Sequence, residues 1–265
     1  MAMDLRAQRC EALVLRSIAY GDSDSVVHLL VRGHGRVSAF ARGARSSRQR
    51  FGGALEPFGR IEALLAEREG LWALREARVI EAHGKLREDL HRIAHAGYAA
   101  ELAHDLAREG QQADALFALL QEFLERLEQA KATSGRLRAL ELLALEAAGL
   151  APELRNCSRC GGEVPAGRAA FSPDAGGLLC VSCSRGEHAI ALGSGPRAAL
   201  WQLRWGGLAA ADAPKSADGS GRAADLAAFE EACAAAAPAV AAFLQHHLGR
   251  RLHSAEFLGQ VGAPV

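Results

Sequence analysis

Four of the six cysteines in this 265-residue chain stand in two pairs, Cys157-Ser-Arg-Cys160 and Cys180-Val-Ser-Cys183, with nineteen residues between the pairs. A C-x2-C pair can close on one ion from a single tight turn. Two such pairs make an all-thiolate tetrahedral site of the structural zinc kind. Gly161 follows the first pair, where a knuckle brings backbone close to sulfur and φ can turn positive. An ion held by four thiolates has no open position for water and cannot act as a Lewis acid. The competing readings are a disulfide pair or a relic site that no longer holds metal. Cys10 and Cys233 stand alone, with no His–Asp setting that suggests a nucleophile; both read as small buried apolar residues.

No other constellation of catalytic groups assembles. There is no H-E-x-x-H, no phosphate-binding glycine loop with its lysine and no G-x-S-x-G elbow. Zinc deaminases need a His-x-Glu and a Pro-Cys-x-x-Cys, and neither cysteine pair follows a proline. The ten histidines are scattered, and the adjacent His246 and His247 face different directions on a helix. Glu122, Glu125 and Glu128 read as a solvated helical face. The expectation is a protein that is not an enzyme and has no small-molecule substrate.

The second chemically suggestive stretch is electrostatic. Residues 1–60 carry ten Lys/Arg against five Asp/Glu, whereas residues 61–265 carry 21 against 26. Within 32–60 the count is seven arginines to one acid, Glu56. A basic module on an acidic body suggests an anionic partner at the N-terminal end. Period-2 alternation over Arg36–Arg42 puts Arg36, Ser38, Phe40 and Arg42 on one face and Val37, Ala39 and Ala41 on the other. Guanidiniums flanking an aromatic ring suit single-stranded nucleic acid, with charges on phosphates and the ring on a base. The following segment adds Arg45, Arg48 and Arg50 in a Gly/Ser-containing loop, the composition of an arm on a phosphate backbone. The plainer alternative is a solvated loop, with Phe40 filling a core.

The elements that must position these groups change type along the chain. Strands are expected over Cys10–Tyr20, Ser25–Arg32, Arg36–Arg42, Phe58–Glu67 and Leu71–Glu81, with a hairpin turn at Gly33-His34-Gly35, a loop over Gly43–Gly53 and a turn at Arg68-Glu69-Gly70. Five short strands fit a sandwich edge or a small closed barrel; the five-stranded barrel that binds oligonucleotides is the OB-fold. From Leu86 the period is helical. One helix spans Leu90 to Arg108. A second is capped by Asp114, with Leu116, Leu119, Leu120, Phe123, Leu124 and Leu127 as its core stripe. A third is capped by Ser134 and runs to about Ala148, with Arg136 and Arg138 in its first turn. Between the cysteine pairs, Phe171–Gly177 suggests a short hairpin. Gly206–Ala223 reads as a surface loop or linker. Helices follow over Asp225–Ala236, from Pro238 onward, and over Ala255–Val261. The charged start, Met1 to Cys10, does not read as a signal peptide, and the run Ala232–Leu244 is too short to span a bilayer, so a cytosolic setting with reduced thiols is expected.

Taken in order, Glu11–Asp24, Gly33–Arg45, Gly53–Phe58, Leu137–Pro152 with Cys157-x-x-Cys160-Gly, Phe171–Cys180 and Phe243–Leu258 resemble the RecO family of bacterial DNA repair proteins over nearly the full chain. The resemblance implies an α+β protein of DNA repair, DNA damage and recombination. It has an N-terminal five-stranded OB-fold barrel followed by an α-helical domain with an embedded four-cysteine zinc ribbon or knuckle. The expected division is an OB-fold nucleic-acid-binding domain at 1–82, helical domain at 83–154 and 193–265 with a flexible loop near 207–223, and a zinc-binding insert at 155–192. It implies structural Zn2+ on Cys157, Cys160, Cys180 and Cys183. The arginines at 36, 42, 45, 48 and 50 fall where the family's DNA-binding barrel and loop lie, so the expected DNA contacts are Arg36, Arg42, Arg45, Arg48 and Arg50, joined by Phe40 from the strand alternation above. The implied activity is binding of single- and double-stranded DNA, annealing of complementary strands, and helping to load RecA, with RecR, onto DNA coated by single-strand-binding protein (SSB). The acidic tail of SSB would meet Arg136 and Arg138 beside Leu137 and Leu140. The location would be cytoplasmic and nucleoid-associated, with no membrane. The alternative is an RNA-binding OB/zinc-ribbon protein of the translation machinery.

Overall fold

A computed structural model of the chain describes residues 7–68, 70–212 and 223–265. The chain divides into two compact units, Met1–Ala130 and Lys131–Val265.

In the first unit the five expected strands form and close. They are β1 (Ala7–Tyr20), β2 (Asp24–Val31), β3 (Gly35–Ala41), β4 (Arg60–Ala66) and β5 (Trp72–Glu81). The order is β1-β2-β3-β5-β4, with β4 returning to β1. Every pairing is antiparallel except the short parallel contact of β3 with β5 at Ala39↔Trp72 and Phe40↔Ala73. This is an OB-like barrel, not a sandwich edge. Two features let so few strands close. Small inward residues, Ala12, Ala39, Ala41, Ala63 and Ala77, line a narrow interior beside Val14, Leu29 and Ile61. The long β1 shifts register between Val14 and Arg16, and the bulge bends it so that it pairs with both β2 and β4.

The Gly43–Gly53 segment is not simply a loop. It holds a single helical turn, α1 (Arg48–Phe51), whose Phe51 side chain enters the barrel core at 2% exposure. After a 3-10 turn at Gly84–Glu88 come α2 (Leu90–Leu106) and α3 (Asp114–Gln129). The Asp89 carboxylate accepts the Arg92 N–H and caps α2. Asp114 does not cap α3 as expected; its carboxylate accepts the Gly33 N–H of the β2–β3 turn at 2.6 Å. Gly35 has φ +74°, and a Cβ there would strike the backbone carbonyl of Gln111, so glycine is needed for close approach as well as for the turn.

The second unit packs α4 (Ser134–Ala147), α5 (Ser194–Asp212), α6 (Ala223–Leu248) and α7 (His253–Gln260) with a small sheet. That sheet is β6 (Ala169–Ser172), β7 (Gly177–Leu179) and β8 (Ile190–Leu192), in the order β7-β6-β8. The antiparallel β6–β7 pair is the hairpin expected between the cysteine pairs. Thr133, not Ser134, caps α4, since its hydroxyl accepts the Arg136 N–H while Ser134 donates to the Val265 carbonyl. Helix α5 runs on through Gly206–Asp212, where a loop was expected, across a non-helical Gly207 (φ 65°, ψ −160°). The apolar Leu208 and Ala211 are buried, which holds this last turn. The rest of the expected loop, 213–222, lies outside the described residues. Helix α6 is continuous through Pro238, where two helices were expected. Proline forfeits one hydrogen bond to the preceding turn, but burial of Ala236, Ala239, Val240, Phe243 and Leu244 on both sides keeps one axis. This merged helix is long and apolar enough to cross a membrane by length and composition alone. Here it packs against α4 and α5 as a core helix.

Candidate nucleic-acid interface and metal centre

The four paired cysteines converge. Their sulfurs all lie within 4.8 Å of one another, and Sγ of Cys160 and Cys180 are 3.9 Å apart. A tetrahedral ion with Zn–S near ~2.3 Å places its sulfurs about 3.8 Å apart, so the donor set fits zinc. None of the four is in a disulfide. Backbone closes the first knuckle: Gly161 donates to the Cys157 carbonyl and Cys157 to the Gly162 carbonyl, with Gly161 at φ 71°. Hydrogen bonds from the backbone N–H of Cys180, then of Cys160 and Arg159, pull the Cys157 thiol well below its ordinary range despite the cost of burial. Cys183 is pushed up, first by its hydrogen bond with Cys180. Four sulfurs this close cannot all ionise without a cation among them. Cys157, Cys160, Cys180 and Cys183 are therefore the residues that would hold a metal, as a brace between the knuckles and the β6–β7 hairpin.

A second group, Glu81, His83 and Glu128, also brings its ligand atoms within 4.8 Å. Its chemistry is different. The Arg60 guanidinium already sits 3.2 Å from the Glu81 carboxylate, where a metal cation would be repelled. The buried His83 ring bonds Glu128 at 3.2 Å, and Glu128 also accepts the Lys85 N–H. This trio ties the end of β5 to α3.

On β3 the expected alternation holds: Val37, Ala39 and Ala41 point inward, and Arg36, Ser38, Phe40 and Arg42 point outward. Phe40 therefore does not fill the core. It lies half-buried on the outer face, edge-on to Tyr20 with ring centroids 5.7 Å apart. The arginines separate into two groups. Arg36 turns toward α2, donating to the His104 carbonyl at 3.1 Å with Glu109 3.7 Å away. Arg50 folds back on its own loop, donating to the Arg42 carbonyl at 2.8 Å and to Ser47. The guanidiniums of Arg42, Arg45 and Arg48 are exposed and make no hydrogen bond or ion pair among the described residues. The loop bearing them is stitched to the β1–β2 turn. The Asp24 carboxylate accepts the Gly43 N–H at 2.7 Å, and the Ser23 carbonyl accepts the Arg45 N–H at 2.9 Å. A small cleft opens here, lined by Ala44, Arg45, Ser47, Arg48, Gly52 and Gly53. Sequence reasoning missed Arg16 and Tyr20, exposed on neighbouring β1, and the anchoring role of Asp24. Only the barrel pairing reveals that Tyr20, opposite Asp24, lies near the loop.

The four residues suggested for an acidic tail, Arg136, Leu137, Arg138 and Leu140, are all buried within the second unit. Arg136 donates to Asp212 at 2.6 Å and to the Lys131 carbonyl. Arg138 lies 2.7 Å from the buried Glu141 carboxylate. In α4 the arginines answer internal carboxylates and carbonyls rather than a free surface. Burial of a guanidinium requires such partners.

Comparison with known proteins agrees with this architecture. Residues 3–83 match the family model described as Recombination protein O N terminal, and residues 87–256 match Recombination protein O C terminal. The chain is 48% identical over 253 residues to the DNA repair protein RecO of Anaeromyxobacter sp. (strain K), covering 94% of this chain and 95% of that protein. It is 40% identical over 254 residues to the DNA repair protein RecO of Myxococcus xanthus, covering 95% and 97%. With that of Pelobacter propionicus it shares 38% identity over 261 residues, covering 97% and 98%. With both halves of the fold matched and relatives aligned along nearly their whole length, the chain belongs to the RecO family of DNA repair proteins.

Proposed function

We propose that this chain is a non-enzymatic recombination mediator. It binds single- and double-stranded DNA, anneals complementary strands and, with RecR, helps load RecA onto SSB-coated DNA in the cytoplasm. The barrel acts as an OB-fold whose DNA contacts are Arg42, Arg45 and Arg48, with Phe40 beside them and Arg50 holding the loop. Arg36, engaged by α2, has the smaller part. Zinc on the four cysteines braces the ribbon of the second unit and takes no part in the contact.

The observation that carries the reading is three exposed guanidiniums on one anchored loop, without partners among the described residues. Strand annealing makes and breaks no covalent bond. It requires two polyanions to be brought close, and guanidiniums relieve their repulsion by displacing condensed counterions. The test is annealing of complementary strands coated with SSB, comparing the wild type with R42E/R45E/R48E. The variant is expected to lose annealing and DNA binding together. Unchanged binding would defeat the assignment of the loop, and preference for RNA over single-stranded DNA in direct competition would favour a translation role.

A further inference from the structure

The outer face of the barrel is not uniformly covered. Its lower part is closed by α2 and the α2–α3 connection. There His28 packs edge-on against His104 with ring centroids 5.1 Å apart, Ser38 donates to Glu109, and Arg36 reaches the His104 carbonyl. Its upper part is open and apolar. The strand register places Ile18 opposite Val26, Val26 opposite Phe40 and Phe40 opposite Ala73, one outward row across four strands. Tyr20 stands at the top of that row, at the mouth of the β1–β2 turn. It is 61% exposed, and Ile18 is 37% exposed. An exposed tyrosine packed T-wise against a half-buried phenylalanine keeps much of its ring open to a ligand.

The charge around this row is positive. Arg16 lies one outward position below Ile18, exposed, and its guanidinium makes no hydrogen bond or ion pair among the described residues. Arg42 and Arg45 lie beyond the top, on the loop tied to Ser23 and Asp24. The Asp24 carboxylate is occupied by the Gly43 N–H, which leaves Asp22 as the exposed acid of the turn. An apolar ring between Arg16 on one side and the loop arginines on the other fits a strand that offers phosphates and an unpaired base together. It does not fit a duplex, whose bases are stacked inside.

We infer that Tyr20, supported by Phe40, is a base-stacking platform. It makes this barrel read single-stranded DNA differently from duplex, while the loop arginines serve both. The inference deepens the DNA reading and rests on it. Stacking on an aromatic side chain is sequence-tolerant, so the site discriminates base-bearing from baseless strands and not one sequence from another.

The test measures binding of the full-length protein to a labelled oligo-dT strand, an abasic strand of the same length, and a duplex. Wild type, Y20A, Y20L, Y20F and R42Q/R45Q/R48Q are compared. Wild type is expected to prefer the base-bearing strand over the abasic one by about tenfold, the value of one stacked base. Y20A and Y20L should lose that preference while keeping duplex affinity and salt dependence; Y20F should keep it. The arginine variant should weaken on all three ligands and retain the preference. A Y20A protein that still prefers dT, or that weakens equally on duplex, overturns the platform while leaving the arginine site standing. A Y20A change confined to self-association would show that the row is covered by a second copy, and would also overturn it. Wild-type protein that binds none of the three ligands overturns the DNA reading itself.

Discussion

Replacing Arg42, Arg45 and Arg48 with glutamine tests the central assignment with a magnitude attached. The three guanidiniums are exposed and free of hydrogen bonds and ion pairs among the described residues, so their removal breaks no contact seen in the barrel. The loop keeps its Phe51 anchor, the Asp24–Gly43 bond and the Arg50–Arg42 bond, the last of which uses the backbone carbonyl. Each phosphate neutralised on a single strand steepens the dependence of log K on log salt by about 0.7, so three contacts contribute about 2.1. At ~0.15 M salt that term is worth about 1.7 log units, or roughly 2.4 kcal/mol. At ~0.5 M it shrinks to about 0.6 log units. The wild type should therefore outbind the triple variant by roughly 50-fold at low salt and by only about fourfold at high salt. Fluorescence anisotropy titrations across a salt series give both slopes. Parallel slopes for the two proteins, whatever their absolute affinities, would refute the claim that these arginines touch phosphate.

Three further outcomes follow from the same geometry. Stripping metal with a strong chelator should lower the melting temperature and release about one zinc per chain, while DNA affinity stays within about twofold; metal-free protein as stable as the loaded form would refute the brace. Gly35→Ala forces a Cβ into the Gln111 carbonyl at positive φ and should cost at least ~1–3 kcal/mol in urea unfolding, whereas Gly33→Ala, with open space around it, should cost less. Burial alone would raise the Glu11 carboxyl, but the hydrogen bond from Arg60 and the charge of Arg32 outweigh it and hold the group below its ordinary value. A carboxyl depressed in the folded state stabilises above its unfolded value, near ~4.3, and that contribution disappears as pH falls through the folded value. Melting temperature should thus be flat from neutral pH to about pH 5 and drop below about pH 4, with a shallower drop in Glu11→Gln.

How legible each feature was depends on how local its physics is. The cysteine cluster was visible in full, because C-x2-C spacing and a following glycine determine a knuckle within a few residues. The strands were legible from alternation, and the outward position of Phe40 follows from it once the barrel exists. The caps of α3 and α4 were missed by one residue because Asp114 and Ser134 each bond a group distant in sequence, Gly33 and Val265. The continuity of α6 through Pro238 was missed because proline's local cost is outweighed by tertiary burial on both sides. Arg136 and Arg138 looked like free cations at a helix start. Their acids, Asp212 and Glu141, are brought in by packing and by the helical i,i+3 spacing.

The basic stretch shows why a charge count locates a site only coarsely. Seven arginines against Glu56 over residues 32–60 suggested seven cations in need of an anion. The fold supplies anions and carbonyls from outside that window. Arg32 meets Glu11 and lies over the Phe117 ring, Arg60 meets Glu11 and Glu81, and Arg36 meets the His104 carbonyl near Glu109. Arg50 bonds the Arg42 carbonyl. Four of the seven thus hold the first unit together, and Arg42, Arg45 and Arg48 are left facing solvent on an anchored loop. Repulsion among them is tolerable because the engaged four fix the backbone beneath them. The free three keep their full attraction for an incoming phosphate. The same division separates the two conspicuous features of the chain. Four thiolates closed on one ion would have nothing left to offer a ligand, whereas guanidiniums that the fold leaves unpaired do. Mutating an engaged arginine such as Arg60 should lower stability with little change in salt slope, and mutating a free one should do the reverse.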